Sequence, residues 1–441
     1  MHDSKLSLED RLRAHPHLKN RIETLLNIVE DTASNVDKAD DAEQLVIDEL
    51  RRLGNDALHD WAHCKESQRT EGTLANESNK PIKGKKKIFK WYTTFGQIVI
   101  EERTFVLNGH RIRPFSFSAN VTNNCYSRPL ERCITDFGAD DAFAKVPNKL
   151  KEHYGINIPS HAARTITEKH AKKINDLKCL KNVFPKKGAE YIIAETDGSM
   201  IPIVTIAART TDEEPSDDRK RRKVGWKEAR LSLAHPLGSV TPIFDATLGG
   251  TDETGDQLLN CAILAGGGEN SKIHCVGDGA PWIADQVNRV FSSQGSYLID
   301  MMHLCEYFAP ASLVTSPHDS FTWLEQQKQR MKEGKISEVL NVLEPYVESL
   351  SIPKKDTPVK NCYRYIINRP GQFDYKSALA ANLPIGSGEI ESAHRYIIQK
   401  RLKLAGAWWD ETNAQNMLSL RTLRANGGFQ NYWKQYFKQA T

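Results

Sequence analysis

The chain predicts an α/β fold, a mixed β-sheet covered by helices, behind an N-terminal helical region that carries a β-hairpin. Three observations lead there. From Tyr191 onward, short apolar runs (YIIAETDG, MIPIVTIA, ARLSLAHP, VTPIFDATLG, KIHCVGDGA, SYLIDMMHL) are interrupted by two helix-like segments, Thr254 to Ala265 and Trp282 to Ser292. Strand runs followed by strand–helix–strand order argue for a mixed sheet with helices on its faces. Ile88 to Phe117 alternates apolar and polar residues around Gly96, the period of a hairpin. Residues up to about Lys65 repeat at helical spacing, so that Leu45, Val46, Leu50 and Leu53 share a face.

In chain order, residues 1–87 read as a helical region and basic linker, with Gln68 to Lys87 polar and marked by Gly72, Pro81 and Gly84. Residues 88–120 form the hairpin module. Residues 121–185 hold a helix-turn-helix pattern. Asp140 or Asp141 caps its first helix, which carries Phe143, Val146 and Leu150, and Tyr154 to Pro159 makes the turn. The second helix starts at Ser160 and carries Arg164, Lys169, Lys172 and Lys173; in a DNA-binding version it would enter a major groove. Many helical hairpins with this pattern touch no DNA. Residues 186–310 hold the strands, and residues 311–383 read as an inserted, charged helical subdomain. Residues 384–441 return to the core, with a helix over Asn413 to Arg424 stopped at Asn426-Gly427-Gly428. The aromatic tail Phe429, Tyr432, Trp433, Tyr436 and Phe437 is expected to pack on the core.

At 441 residues there is room for several domains. No apolar run approaches the ~20 residues of a membrane span, and MHDSKLSLEDRLRAHP has no apolar signal segment. A cytoplasmic protein away from membranes is expected. The eight cysteines form no C-x-x-C pair, which argues for reduced thiols and against structural zinc. The net charge of +4 is modest, but cations cluster at Lys80 to Lys90, Arg219 to Lys223 and Lys400 to Lys403. Asp212, Glu213, Glu214, Asp217 and Asp218 partly neutralise the second cluster.

Chemistry concentrates on three acids. Asp197 follows an apolar run and precedes Gly198; Asp278 sits between Gly277 and Gly279 after another; Glu391 follows Gly386-Ser387-Gly388 at the head of a basic helix. Carboxylates at the ends of neighbouring strands converge on one point, and a few of them hold the two divalent ions, ~3.5–4 Å apart, that stabilise attacking and leaving oxygens in phosphoryl transfer. Magnesium needs only a handful of such oxygens. Each acid alone also fits a plain turn or a helix-dipole partner. Asp300 and His303, after the SYLI run, read by default as a helix cap and a core histidine, and in context as bracing for the site. Glu389 is as acidic as Glu391, and spacing alone leaves both open.

The segments Thr196-Asp197-Gly198, Gly277-Asp278-Gly279-Ala280 with Trp282, Asp300 with His303, and GSGEIESAHRYIIQKRLKLAGAWW resemble the acid-triad (DDE) transposases of bacterial insertion sequences, most closely the Kra-type group. The resemblance spans roughly Tyr191 to Trp433. It implies an RNase H-like core with a helical insertion before the last acid. Asp197, Asp278 and Glu391 are then catalytic ligands of Mg²⁺ (or Mn²⁺); the family spacing, three residues after the second glycine of GSG, selects Glu391. Double-stranded DNA, as transposon ends and target, is the implied substrate, with a homo-oligomer in the synaptic complex. Arg395, Arg401 and Lys403 become phosphate contacts, and His394 and Trp408 candidates to hold a strand or a flipped base, with core packing the better reading of Trp408. Related proteins often carry a Cys pair after the hairpin; Phe105 to Arg113 has none, so a zinc-stabilised module is not expected. A nuclease on the same core and a catalytically silent, transposase-derived DNA-binding protein are the alternatives.

Overall fold

The computed structural model describes residues 7–30, 37–75, 81–206 and 221–438. Lys80 and the charged stretch Asp212 to Lys220 lie outside them. The chain forms two compact units, Met1–Lys169 with Asn431–Thr441, and His170–Gln430. No helix among the described residues is long and apolar enough to cross a membrane.

The first unit begins with α1 (Leu8–Ala14), α2 (Pro16–Val29) and α3 (Ala39–Leu74). The expected linker from Gln68 is therefore helix up to Leu74. Its tail is anchored, because the buried Glu66 accepts from the Arg103 amide at 2.8 Å and from Thr70 Oγ1 at 2.9 Å. The hairpin is present as β1 (Ile82–Thr93) and β2 (Gly96–Leu107), closing at Thr93↔Gly96, where Gly96 takes a φ of 113°. β3 (His110–Ile112), α4 (Pro114–Ser118) and β4 (Cys125–Tyr126) follow, giving the order β3-β2-β1-β4. Ala62, Phe89, Ile98, Ile100 and Phe115 form the core beneath this sheet.

The helix-turn-helix region differs from expectation at its start. Three helices are present: α5 (Arg128–Asp140), α6 (Val146–Tyr154) and α7 (Ser160–Asp176). Asp140 ends α5 rather than capping the next helix, and α6 starts at Val146 with a proline in its first turn. Gly155, at φ 68°, closes α6 in the left-handed conformation. Leu130, Ile134, Val146, Leu150, Ile158 and Ile166 join the three helices.

The second unit is built on a five-stranded mixed sheet, order β7-β6-β5-β8-β9. β5 (Tyr191–Ile206) and β6 (Arg222–Pro236) pair antiparallel along their length, as do β6 and β7 (Ile243–Thr247). After α8 (Thr251–Leu264), β8 (Lys272–Gly277) lies parallel to β5; after α9 (Pro281–Phe291), β9 (Gly295–Ile299) lies parallel to β8. YIIAETDG and MIPIVTIA are thus one strand, and Asp197 is not at a strand end. Gly198 makes no turn: it pairs with Arg230, and a Cβ there would lie 2.1 Å from Glu228 Oε1, so its smallness serves packing.

α10 (Met301–Thr315), α11 (Ser320–Lys332), α12 (Ile336–Leu343), α13 (Pro358–Ile367) and α14 (Tyr375–Ala380) form the helical block expected before Glu391, beginning at Met301. It has its own core of Leu304, Phe308, Trp323, Met331, Val339 and Tyr375. α15 (Gly388–Ala393), a π-helical turn His394–Gln399, α16 (Lys400–Leu402) and α17 (Glu411–Ala425) return toward the sheet. The last helix, α18 (Phe429–Lys438), has Tyr432 and Trp433 buried, as expected of a packed tail, but from Asn431 onward it belongs to the first unit and not to the core of the second. Arg128 Nη1 donates to the carbonyls of Tyr436 and Phe437, and Tyr436 Oη donates to Glu131 at 3.2 Å.

Candidate active site

β5 and β8 set two of the three acids side by side. Their parallel register runs to Glu195↔Val276, and Asp197 and Asp278 each lie two residues further on. The sheet changes from antiparallel to parallel pairing at β5, so both acids sit beyond the carboxyl end of the parallel pair, where open α/β sheets bind ligands. Burial raises the Asp197 carboxyl to a pKa of about 6, and the nearby charge of Asp278 adds to the rise while His303 opposes it. His394 Nε2, almost fully buried, stands 3.5 Å from Asp197 Oδ2. Burial lowers its pKa to about 4, so the imidazole is neutral at pH 7.

The turn bearing Asp278 is clamped from three sides. Asp278 Oδ1 accepts from the Ala280 amide at 2.8 Å. Gly279 N–H donates to Tyr297 Oη, Tyr365 Oη donates to the Asp278 carbonyl, and Arg369 Nε donates to the Gly279 carbonyl, each at 2.9 Å. The Arg369 guanidinium lies 4.1 Å above the Tyr365 ring. Tyr365 and Arg369 belong to the helical block and its edge, so that block fixes the backbone of the second acid.

The segment carrying Glu391 is held by two buried carboxyl groups. Asp300 caps α10 through Oδ1 to Met302 N, and its Oδ2 accepts from both Ser387 N and Ser387 Oγ at 2.6 Å. The helix cap read for Asp300 by default is thus present, and the same carboxylate holds Ser387. Glu195 Oε2 accepts from Ile390 N at 2.8 Å. Burial pushes the Glu195 carboxyl up to about 8, with the charges of Glu389, Asp300 and Glu391 adding to it. Glu389 meets His235 Nε2 at 3.0 Å, which leaves Glu391, exposed on α15, as the acid without such a partner in this pair. Among the described residues, no three His, Cys, Asp or Glu side chains stand close enough to share a metal ion.

Beyond Glu391 the helix widens into its π turn, a feature that often accompanies functional sites. The buried Arg421 of α17 donates to Ile397 O at 2.9 Å and also to Tyr396 O. Arg395 and Lys403 are exposed, as phosphate contacts must be. Arg401 is not: it is 2% exposed, with its guanidinium 4.7 Å over the Trp409 ring, so it packs in the interior and does not face solvent. Trp409, not Trp408, fills the core, and it bonds the edge of β5 through Val204 N and Pro202 O. Trp408 is half exposed, edge-to-face with the exposed Trp226.

His303 is partly exposed and 3.5 Å from Glu306. On α7, Arg164 faces Glu168 at 3.9 Å and Lys172 pairs with Asp176 at 2.6 Å. Lys169 donates to Glu131 at 2.6 Å, and Lys173 is half-buried. Sequence reasoning missed Glu195, Tyr297, Tyr365 and Arg369. Only Glu195 left a trace, an acid inside an otherwise apolar strand run.

The profile of an uncharacterised protein family, UPF0236, matches residues 268–436. That span holds Asp278, Asp300, His303 and Glu391 and starts beyond Asp197. UPF0236 protein TTE0402 of Caldanaerobacter subterraneus subsp. tengcongensis is 22% identical over 157 residues, which is 36% of this chain and 30% of the relative. UPF0236 protein TTE2489 of the same strain is 22% identical over the same share of this chain and 32% of its own length. Another relative there, at 22% identity, bears a name joining eleven locus designations, TTE0033 to TTE2212. The match spans about a third of the length of these curated relatives. This chain is thus similar, over its second half, to an uncharacterised family.

Proposed function

We propose that the chain is a DDE-type DNA transposase with an RNase H-like core, cutting and joining DNA at insertion-sequence ends. The observation that carries this reading is that Asp197 and Asp278 each lie two residues past the last parallel pair of β5 and β8, with Glu391 on a segment tied to β5 by Glu195 and to the start of α10 by Asp300. A mixed sheet with flanking helices fits such a core, and the helical block precedes the last acid as the resemblance implies. A relative recorded under eleven designations in one strain is what a self-copying element leaves behind.

Asp197 and Asp278 suit a hard divalent cation: two carboxylates close enough to raise a pKa are relieved by positive charge. They would hold Mg²⁺ or Mn²⁺, with Glu391 as the third ligand. The ion, when bound, supplies charge stabilisation at the attacking and leaving oxygens. The chain's residues do the rest. Tyr365 and Arg369 fix the Asp278 turn, Asp300 and Glu195 fix the Glu391 segment, and neutral His394 backs Asp197 without adding charge. Arg395 and Lys403 meet phosphates in a salt-dependent, sequence-neutral way.

A second reading, a catalytically silent DNA-binding descendant, draws on one fact: among the described residues the three acids do not share a ready-made ligand cluster. One assay separates the two. Cleavage of DNA carrying the element's ends is measured with Mg²⁺ or Mn²⁺ for wild type, Glu391→Gln and Asp278→Asn. The expected result is cleavage reduced by about 10³-fold, on the order of 4 kcal/mol in the barrier, with end binding retained. Variants that cut as fast as wild type would remove the triad. End binding without cleavage by wild type would favour the silent protein. Cleavage without joined product, with target DNA present, would favour a nuclease.

A further inference from the structure

Phe117 is the outlier of the first unit: it is 90% exposed, whereas Phe115 two residues earlier is 1% exposed in the core. Its exposure is not fraying. Phe117 N–H donates to Arg113 O at 3.0 Å, Val121 N–H to Ser116 O at 3.0 Å, and the buried Glu102 accepts from both Ser116 N and Ser116 Oγ. The ring is therefore held in solvent by a fixed backbone. It borders a cavity of about 1030 Å³ rimmed by Arg69, Arg111 and Arg113, with no carboxylate among the residues lining it. Arg113 meets Glu102 only at 4.0 Å. Three guanidinium groups beside an unstacked aromatic face select an anionic ligand with a planar ring.

The cations continue away from the cavity. Arg111 pairs with Val106, which pairs with Ile82 at the start of β1. Lys83, Lys85 and Lys87 follow along that strand, all exposed, while Lys86 between them pairs with Glu101 at 3.5 Å. A track of charge leading to a ring fits an extended polyanion, not a single small anion. A base can stack on Phe117 only if its face is free, which a base inside a duplex is not.

We infer that the Phe117 cavity and the β1 lysine track bind single-stranded nucleic acid, with an unpaired base on Phe117 and phosphates on Arg69, Arg111 and Arg113. This rests on the reading that the chain acts on DNA, and it adds a strand-binding surface that neither the acid site nor the helix-turn-helix supplies. Base–aromatic stacking of about 1–3 kcal/mol per base corresponds to roughly 5- to 150-fold in affinity.

The test is fluorescence anisotropy of the full chain with a short labelled oligothymidine, a blunt duplex of matched length and an abasic oligomer. Phe117→Ala is expected to weaken oligothymidine binding by about 5- to 150-fold and to leave duplex binding unchanged, while Phe117→Trp restores it. Arg111→Ala is expected to lower the salt slope by about one. Equal oligothymidine binding by wild type and Phe117→Ala would overturn the inference. So would abasic oligomer binding as tight as oligothymidine, which marks a phosphate site alone, or a phosphopeptide that competes with the same Phe117 dependence, which marks a protein partner. End-DNA cleavage by wild type is followed in parallel. Cleavage without a Phe117 effect on strand binding removes this inference alone, whereas neither DNA binding nor cleavage removes the transposase reading with it.

Discussion

Glu195 lies two residues before Asp197 on the same face of β5, buried, and bonded to the Ile390 amide. Its carboxyl is raised from 4.5 to about 8, so the folded chain holds this proton more tightly than the unfolded one. The linked stability is fully present below pH about 4.5 and is lost as pH rises through about 8. Glu195→Gln keeps an acceptor for Ile390 N and removes the titration. Urea midpoints at stepped pH are expected to show the variant gaining on wild type across that window and levelling off above it; a constant gap would refute the proton linkage. Divalent cation is expected to stabilise the wild type more at pH 7.5 than at pH 5, because Asp197, raised to about 6, ionises between them. Asp197 and Asp278 were legible in the sequence from the glycines beside them. Glu195 was not, because burial and a partner nearly two hundred residues away define its role. Arg401 was misplaced for a related reason: in a basic helix, sequence alone does not say which cation stacks on Trp409 and which faces water.

The turn after β8 depends on a helical block that arrives much later in the chain. Gly279 has a φ of 84°, and a Cβ there would lie 2.2 Å from Tyr365 Oη. Gly279→Ala is expected to destabilise by about 1–3 kcal/mol, read from denaturant midpoints, and to disturb the Asp278 backbone. Adding Tyr365→Phe is expected to recover part of the loss, since it removes the hydroxyl overlap and not the backbone strain. Full recovery would mean that strain is absent. Helices and strands were mostly legible from their periods, including α8, α9, α17 and the hairpin. The failures have physical causes. Gly198 looks like a turn yet makes room for Glu228 within a long strand. Asp140 looks like a helix start yet ends α5, and α3 runs through a polar stretch because Glu66 ties it to β2.

At the scale of the whole molecule, the sheet unit is nearly continuous in sequence and the first unit is not. Trp433 is fully buried and Arg128 binds the carbonyls of Tyr436 and Phe437, so residues after Gln430 complete the first unit. Truncation after Gln430 is expected to raise amide hydrogen exchange in α5 and α6 while leaving β5 and β8 protected; equal loosening of the sheet would refute that division. The aromatic tail was visible in the sequence, but its destination was not, because an aromatic-rich helix carries no mark of which core it joins. The order of synthesis follows from this return. At ~5–20 residues per second, the ribosome makes α5 roughly tens of seconds before Trp433 exists. The sheet unit is therefore complete in sequence first, and Arg128 and Glu131 of α5 gain their partners in Tyr436 and Phe437 only after it.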